Sequence, residues 1–147
     1  MVGKGRRSAL VTLVERKSGY ARIGRADAMR ADTTRQTIIR RMHDLPAALR
    51  RSVTFDNGKE FAEHCQLAET LQWTTYFALP YRSWQRGTNE NTNGLLRQFF
   101  PKGTDFSRIS HQEVARVESL LNERPRRRLD YRTPAEVLSK RLVATET

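Results

Sequence analysis

The stretch RSVTFDNGKEF, Arg51 to Phe61, decides how the middle of the chain is read. It passes from an apolar, β-prone run to one acid, Asp56, then to the turn residues Asn57 and Gly58, then to charge. Asp, Asn and Gly after a strand often mark a hairpin. Here the following KEFAEHCQLAETL has apolar residues at helical spacing, with Phe61, Cys65, Leu67, Ala68 and Leu71 on its inner side. The hairpin reading weakens. Asp56 is expected at the C-terminal end of a strand that feeds a helix, the sheet edge where ligand sites collect.

Working outward, SALVTLVERKSGYARIGRA reads as a hairpin whose strands start at Ser8 and Tyr20, with a basic glycine turn, Gly3 to Arg7, ahead of it. DTTRQTIIRRMHDL reads as a helix capped by Asp32 or Thr33, with Ile38, Ile39, Met42 and Leu45 on its apolar face. WTTYFAL is a strand of β-branched and aromatic residues. A loop from Pro80 to Gly87 leads to the helix TNENTNGLLRQFF, capped by Thr88 or Asn89. Ser110 and Glu113 have capping-box spacing at the head of an amphipathic helix carrying Val114, Val117 and Leu121. A basic loop, RPRRRLDYR, precedes a short helix with Thr133 as cap and Pro134 in its first turn. The order β-β-α-β-α-β-α-α points to an α/β sheet with helices on its faces, in one domain.

The 147 residues include 37% hydrophobic and 29% charged ones, with a formal net charge of +11 carried mostly by arginine. That excess favours a polyanionic partner, nucleic acid first. A basic but otherwise ordinary surface is the alternative. The single cysteine, Cys65, precludes a disulfide framework within the chain and reads as buried filler in a cytoplasmic protein. The histidines show no zinc-ligand spacing. No apolar run is long enough to span a membrane.

Glu90 is the second acid of interest. In the first turn of a helix it can simply complement the helix dipole. Its face says more: Arg97 lies two turns on, and Asn93 and Gly94 lie near the same stripe. An acid, an amide, a glycine and an arginine do not make a core stripe. They suit a carboxylate on a metal beside a phosphate-binding arginine.

TFDNGKEFAEH, YFALPYRSWQRGTNENTNGLLRQFFPKGTDFS and LNERPRRRLDYRTPAEVL resemble the catalytic core of IS30-type insertion-sequence transposases, within the DDE transposase and retroviral-integrase group. The resemblance runs from GKGRRSALVTLVERKSGY to TPAEVL. It implies an RNase H-like mixed sheet with flanking helices, and one catalytic-core domain over residues 1–147. It implies three carboxylates holding two divalent ions, Mg²⁺ or Mn²⁺, for DNA cleavage followed by transfer of the 3′-end. Asp56 would be the second acid and Glu90 the third. Asn57 would orient Asp56, Gly58 would make a left-handed turn, and Asn93 and Arg97 would face DNA. Arg126, Arg127 and Arg128 could form a solvated face, but in this context phosphate contact is expected. Arg82 and Arg86, beside Tyr81 and Trp84 in the loop before Glu90, are placed to hold DNA, although Trp84 could equally anchor a core.

In this group the first acid lies on the first strand, which ends at a glycine turn. Aligned on Gly3 to Gly5, that acid falls upstream of Met1, and only Met1 and Val2 remain of the strand. Replacement by Asp27, Asp32 or Glu60 is not favoured. A largely missing central strand leaves backbone groups to be satisfied elsewhere, so the chain is expected to be marginally stable or to associate through that gap. The expected partners are DNA, as transposon ends and target, and either a second copy or a full-length transposase, in a nucleoid-associated cytoplasmic setting. The alternative function is a non-catalytic DNA-binding remnant that co-assembles with a full-length transposase. A plain nucleic-acid-binding module accounts for the charge but leaves the spacing of Asp56 and Glu90 unexplained.

Overall fold

The structure is a computed structural model that describes residues 1–55, 59–77 and 87–146, the side chains of 59, 87–89, 145 and 146 excepted. Its elements are β1 (Ala9–Val14), β2 (Ala21–Ala26), α1 (Ala31–Met42), β3 (Ser52–Phe55), α2 (His64–Leu71), β4 (Thr74–Phe77), α3 (Gly87–Leu96), α4 (His111–Asn122) and α5 (Pro134–Glu146). The expected alternation holds, and the last helix is longer than its sequence suggests.

β1 and β2 form the antiparallel hairpin, with Ala9 opposite Ala26 and Val14 opposite Ala21. Glu15 builds the turn by accepting bonds from the Ser18 hydroxyl (2.6 Å) and the Ser18 N–H (2.8 Å). β3 and β4 pair in parallel, Ser52 with Thr74 and Phe55 with Phe77. Parallel strands need a crossover, and α2 supplies it.

Among the described residues the two pairs stay separate. A cavity of about 470 Å³ lies between them, lined by Val11 to Val14 on one side and Ser52 to Phe55 on the other. At its end Val2 bridges Ala9. The Met1 ammonium donates to the Leu10 carbonyl (2.6 Å), and the Leu10 N–H donates to the Met1 carbonyl (2.8 Å). Met1 and Val2 thus take up the strand position expected ahead of the glycine turn.

Two apolar clusters flank the strands. Leu10, Ala21 and Ile23 pack with Leu96, Phe100, Phe106, Val114, Val117 and Leu121 under α3 and α4. Ile38, Phe55, Leu67, Leu71 and Trp73 form the second cluster, between α1, α2 and β3. Gly24 on β2 lets α1 approach: a Cβ there would stand 2.4 Å from Thr37 Cγ2 and 3.0 Å from Arg41 Cγ.

The free edge of β2 is covered by side chains of α4. The Asn122 side chain accepts from the Ala21 N–H (2.8 Å) and donates to the Ala21 carbonyl (2.9 Å). Glu118 accepts from the Ile23 N–H (2.7 Å) and holds Arg41 Nη2 at 2.5 and 2.6 Å. Helix side chains thereby do the hydrogen bonding of a neighbouring strand, which removes an exposed edge.

Some sequence expectations need correction. Cys65 is exposed, not buried. It lies two residues before Leu67, about 200° round the helix from it, so the two cannot share the inner side. α1 starts at Ala31 with Arg30 in the capping position and no side-chain cap; Asp32 instead pairs with Arg30 at 2.6 Å. α3 starts at Gly87, ahead of the caps expected at Thr88 or Asn89. At α4 the Ser110 hydroxyl accepts from the Glu113 N–H as expected, at 3.0 Å. The full reciprocal capping box is found at α5, between Thr133 and Glu136, both bonds at 3.1 Å.

Candidate active site

α3 carries the part of the site that the structure describes. Thr92 and Leu96, four residues apart, are buried and seat the helix on β1. The same rotation leaves Glu90 exposed and Asn93 half-buried. Asn93 Oδ1 accepts from the Thr12 hydroxyl at 3.1 Å, which ties the Glu90 face of α3 to the middle of β1. Asn93 also lines the cavity between the strand pairs.

Arg97 lies in the turn that closes α3. Its N–H donates to the Asn93 carbonyl (3.0 Å), and Nη1 reaches the Phe100 carbonyl at 3.5 Å, the outer limit of a hydrogen bond. Arg97 is half-buried, so it also shapes the helix end.

Gly94 adjoins this stripe and is exposed, and a Cβ there would meet nothing within 4 Å. Packing does not require glycine here. Alanine is therefore expected to stabilise the fold by about 0.5–1 kcal/mol through helix propensity. If the bare backbone serves close approach of DNA, the same Gly94→Ala protein binds duplex more weakly. Thermal melting and fluorescence anisotropy measured on one sample check both. A stabilised variant with unchanged affinity would remove Gly94 from the DNA face.

β3 leads straight toward Asp56. Its last residue, Phe55, is buried, stacks on Phe61 at 4.5 Å between ring centroids, and meets Trp73 edge-on at 6.3 Å. The segment after the acid is the short 3₁₀ turn Lys59–Phe61 and then α2, not a second hairpin strand. Asp56, Asn57 and Gly58 themselves lie outside the described residues, as do Tyr81, Arg82, Trp84 and Arg86. Among the described residues no three Asp, Glu, His or Cys side chains converge as a metal-binding group. The donor described, the exposed Glu90 carboxylate, is of the oxygen type that Mg²⁺ and Mn²⁺ favour.

Of the acids weighed as substitutes, Asp27 pairs with Arg25 at 3.1 Å and Asp32 with Arg30. Arg126, Arg127 and Arg128 stand on the loop between α4 and α5, half-buried in the first case and exposed in the other two. Sequence reading passed over the helix positions Glu118 and Asn122. Their signal was present: Val114, Glu118 and Asn122 recur every four residues, a polar continuation of an apolar stripe.

No family model matches the chain. It is 39% identical over 136 residues to the transposase for insertion sequence element IS4351 of Bacteroides fragilis, covering 92% of this chain and 41% of that protein. It is 38% identical over 146 residues to transposase InsI for insertion sequence element IS30A of Escherichia coli K12, covering 99% of this chain and 38% of that protein. It is also 40% identical over 138 residues to the transposase for insertion sequence element IS1086 of Cupriavidus metallidurans, covering 94% and 41%. The chain thus spans about two fifths of the length of these relatives. Among solved structures it superposes on the catalytic core domain of BIV integrase with a TM-score of 0.73 at 16% identity, covering 99% of this chain and 94% of that one. The architecture is accordingly the RNase H-like, mixed α/β fold of an integrase core.

Proposed function

Because this chain belongs, by homology along nearly its whole length, with the IS30-type insertion-sequence transposases, we propose that residues 1–147 act as the catalytic-core portion of a DDE transposase in DNA transposition. The observation that carries this is the placement of Glu90: exposed on a helix that is pinned to β1 through Asn93 and Thr12. In this reading Asp56, directly after β3, and Glu90 are the second and third carboxylates of the site. Asn57 orients Asp56, Gly58 allows the chain to turn behind it, and Asn93 fixes the helix.

Asp56 and Glu90 would hold Mg²⁺ or Mn²⁺, two ions in the intact site, which would supply Lewis acidity to the reacting phosphodiester. The carboxylates hold charge at fixed positions. Arg82 and Arg86, Arg97, and Arg126 to Arg128 bind the DNA backbone. The chemistry is hydrolysis of a phosphodiester at a transposon end and then attack of the freed 3′-hydroxyl on target DNA, each in line at phosphorus and without a covalent enzyme intermediate. The proposed partners are therefore DNA and a second copy or full-length transposase, in the nucleoid. No helix among the described residues is long and apolar enough to cross a membrane.

The cavity between β1 and β3 favours a second reading. The resemblance puts the first carboxylate on a strand there, ahead of Gly3, and residues 1–147 carry the other two. A DNA-binding remnant that co-assembles with a full-length transposase would then be its role. Titration with Mn²⁺ followed by electron paramagnetic resonance tests the shared premise. The expected result is weak binding of one ion, lost in Asp56→Ala and in Glu90→Ala. Binding that neither substitution changes would contradict the assignment of these acids. Little or no strand transfer is expected from the isolated chain.

A further inference from the structure

A cluster of three arginines stands at the far side of α3, on a loop whose shape is fixed from within. The Arg126 N–H donates to the Arg132 carbonyl (3.0 Å), and the Arg126 carbonyl accepts from the N–H groups of Leu129 (3.0 Å) and Tyr131 (2.9 Å). Asp130 and Tyr131 follow with φ of 54° and 64°, in the left-handed region that most side chains avoid. Leu129 is buried and anchors the turn. A loop that holds two such residues in sequence is strongly determined by its surroundings.

Its cations are crowded. Among the described residues no ion pair joins Arg126, Arg127 or Arg128 to a carboxylate. Arg126 Nη2 donates to the Leu121 carbonyl (3.0 Å), while its Nε is buried without a hydrogen-bond partner among the described residues. Burial first, and then the nearby Arg124 and Arg128 charges, push the Arg126 pKa below its ordinary value. A cation in that state gains from an anion.

The opposite wall is the β1–β2 turn. Arg128 Nη1 donates to the Lys17 carbonyl at 3.3 Å. Gly19 has φ of 73°, a conformation that favours glycine, and the end of the Arg128 side chain comes to 2.7 Å from where a Cβ would stand. Asn91 and Thr92 of α3 close the third side. The cavity so formed measures about 240 Å³ and is lined by Gly19, Asn91, Thr92 and the three arginines.

We propose that this cavity is a phosphate-binding site, with Arg126 as its half-buried base and Arg127 and Arg128 as its exposed donors. Guanidinium forks match phosphate oxygens in geometry as well as charge. The source can be a phosphodiester of DNA or free phosphate. The first rests on the DNA reading above and sharpens it: the cavity would hold one backbone phosphate against the α3 helix that carries Glu90.

The test uses the unmodified chain. Phenylglyoxal labels arginines, and peptide mass spectrometry reads the rate at each. With inorganic phosphate at ten times its Kd and constant ionic strength, labelling of Arg126 to Arg128 is expected to slow about tenfold, as the linkage factor 1 + [L]/Kd requires. Arg108 and Arg116 serve as references. Protection by duplex alone assigns the site to a phosphodiester. Protection by inorganic phosphate in a chain that binds no duplex sustains the site and sinks the DNA reading. Unchanged labelling with both sources overturns the proposal. As a second measure, Arg127→Ala/Arg128→Ala should weaken duplex binding about tenfold and flatten its salt dependence by about one phosphate contact per arginine. Arg108→Ala should change it less than about twofold. Equal losses in the two variants also overturn the proposal.

Discussion

Alanine at position 118 is expected to destabilise the protein by about 3 kcal/mol, or about 10 °C in Tm for a domain of this size. Three interactions end together. The Ile23 N–H loses its acceptor at 2.7 Å, Arg41 loses both contacts to its carboxylate, and a cavity opens between α4 and β2. Glu118 is only 8% exposed, so water cannot readily replace it. Arg41 retains more exposure, its side chain at 27%, and can turn outward. For that reason the expected loss sits at the low end of what breaking a buried ion pair costs. Glu118→Gln keeps an acceptor for Ile23 and should lose about half as much. A Glu118→Ala protein melting within about 0.5 kcal/mol of the parent would show that α4 does not hold the sheet edge.

The second large effect concerns Glu90 and Asp56. Two carboxylates that hold metal at a reacting phosphate contribute several kcal/mol of charge stabilisation. In a whole transposase carrying this segment, their loss should cost about a thousandfold in rate or more. Neither acid is a stability residue in this account. Glu90 is exposed, and its helix is seated by Thr92 and Leu96. Alanine at Glu90 should therefore leave the melting temperature within about 2 °C of the parent while removing the chemistry.

Much of this was legible from residues. Apolar and β-prone runs gave the hairpin and the two later strands, and the 3.6-residue pattern gave α4, whose apolar side is the buried side. The parallel pairing of β3 with β4 was not legible, and Tyr76 and Phe77 of β4 are exposed. Thr133 followed by Pro134 gave the α5 start, because a Thr side chain can cap the helix and proline fits its first turn. Cys65 was misread because a single small apolar residue near the helix start carries little phase information. The edge cover by Glu118 and Asn122 was missed for a different reason. A buried carboxylate in a helix looks like a surface residue until the backbone N–H it serves, here Ile23 from the other end of the chain, is known. The arginine loop was legible as charge. Its enclosure by Gly19 depends on contacts more than a hundred residues apart in sequence, such as Arg128 with Lys17.

The most direct test of the central claim places this chain where it can be judged in a whole enzyme. The 146 aligned residues replace their counterparts in the IS30A transposase of Escherichia coli, and transposition frequency is counted. The account predicts a chimera that transposes, and loss of transposition by about a thousandfold or more in its Asp56→Ala and Glu90→Ala forms. A chimera that folds and binds DNA but does not transpose would move the chain to the remnant reading. Alanine forms that transpose as often as the chimera itself would contradict the assignment of Asp56 and Glu90 as the acids of the site.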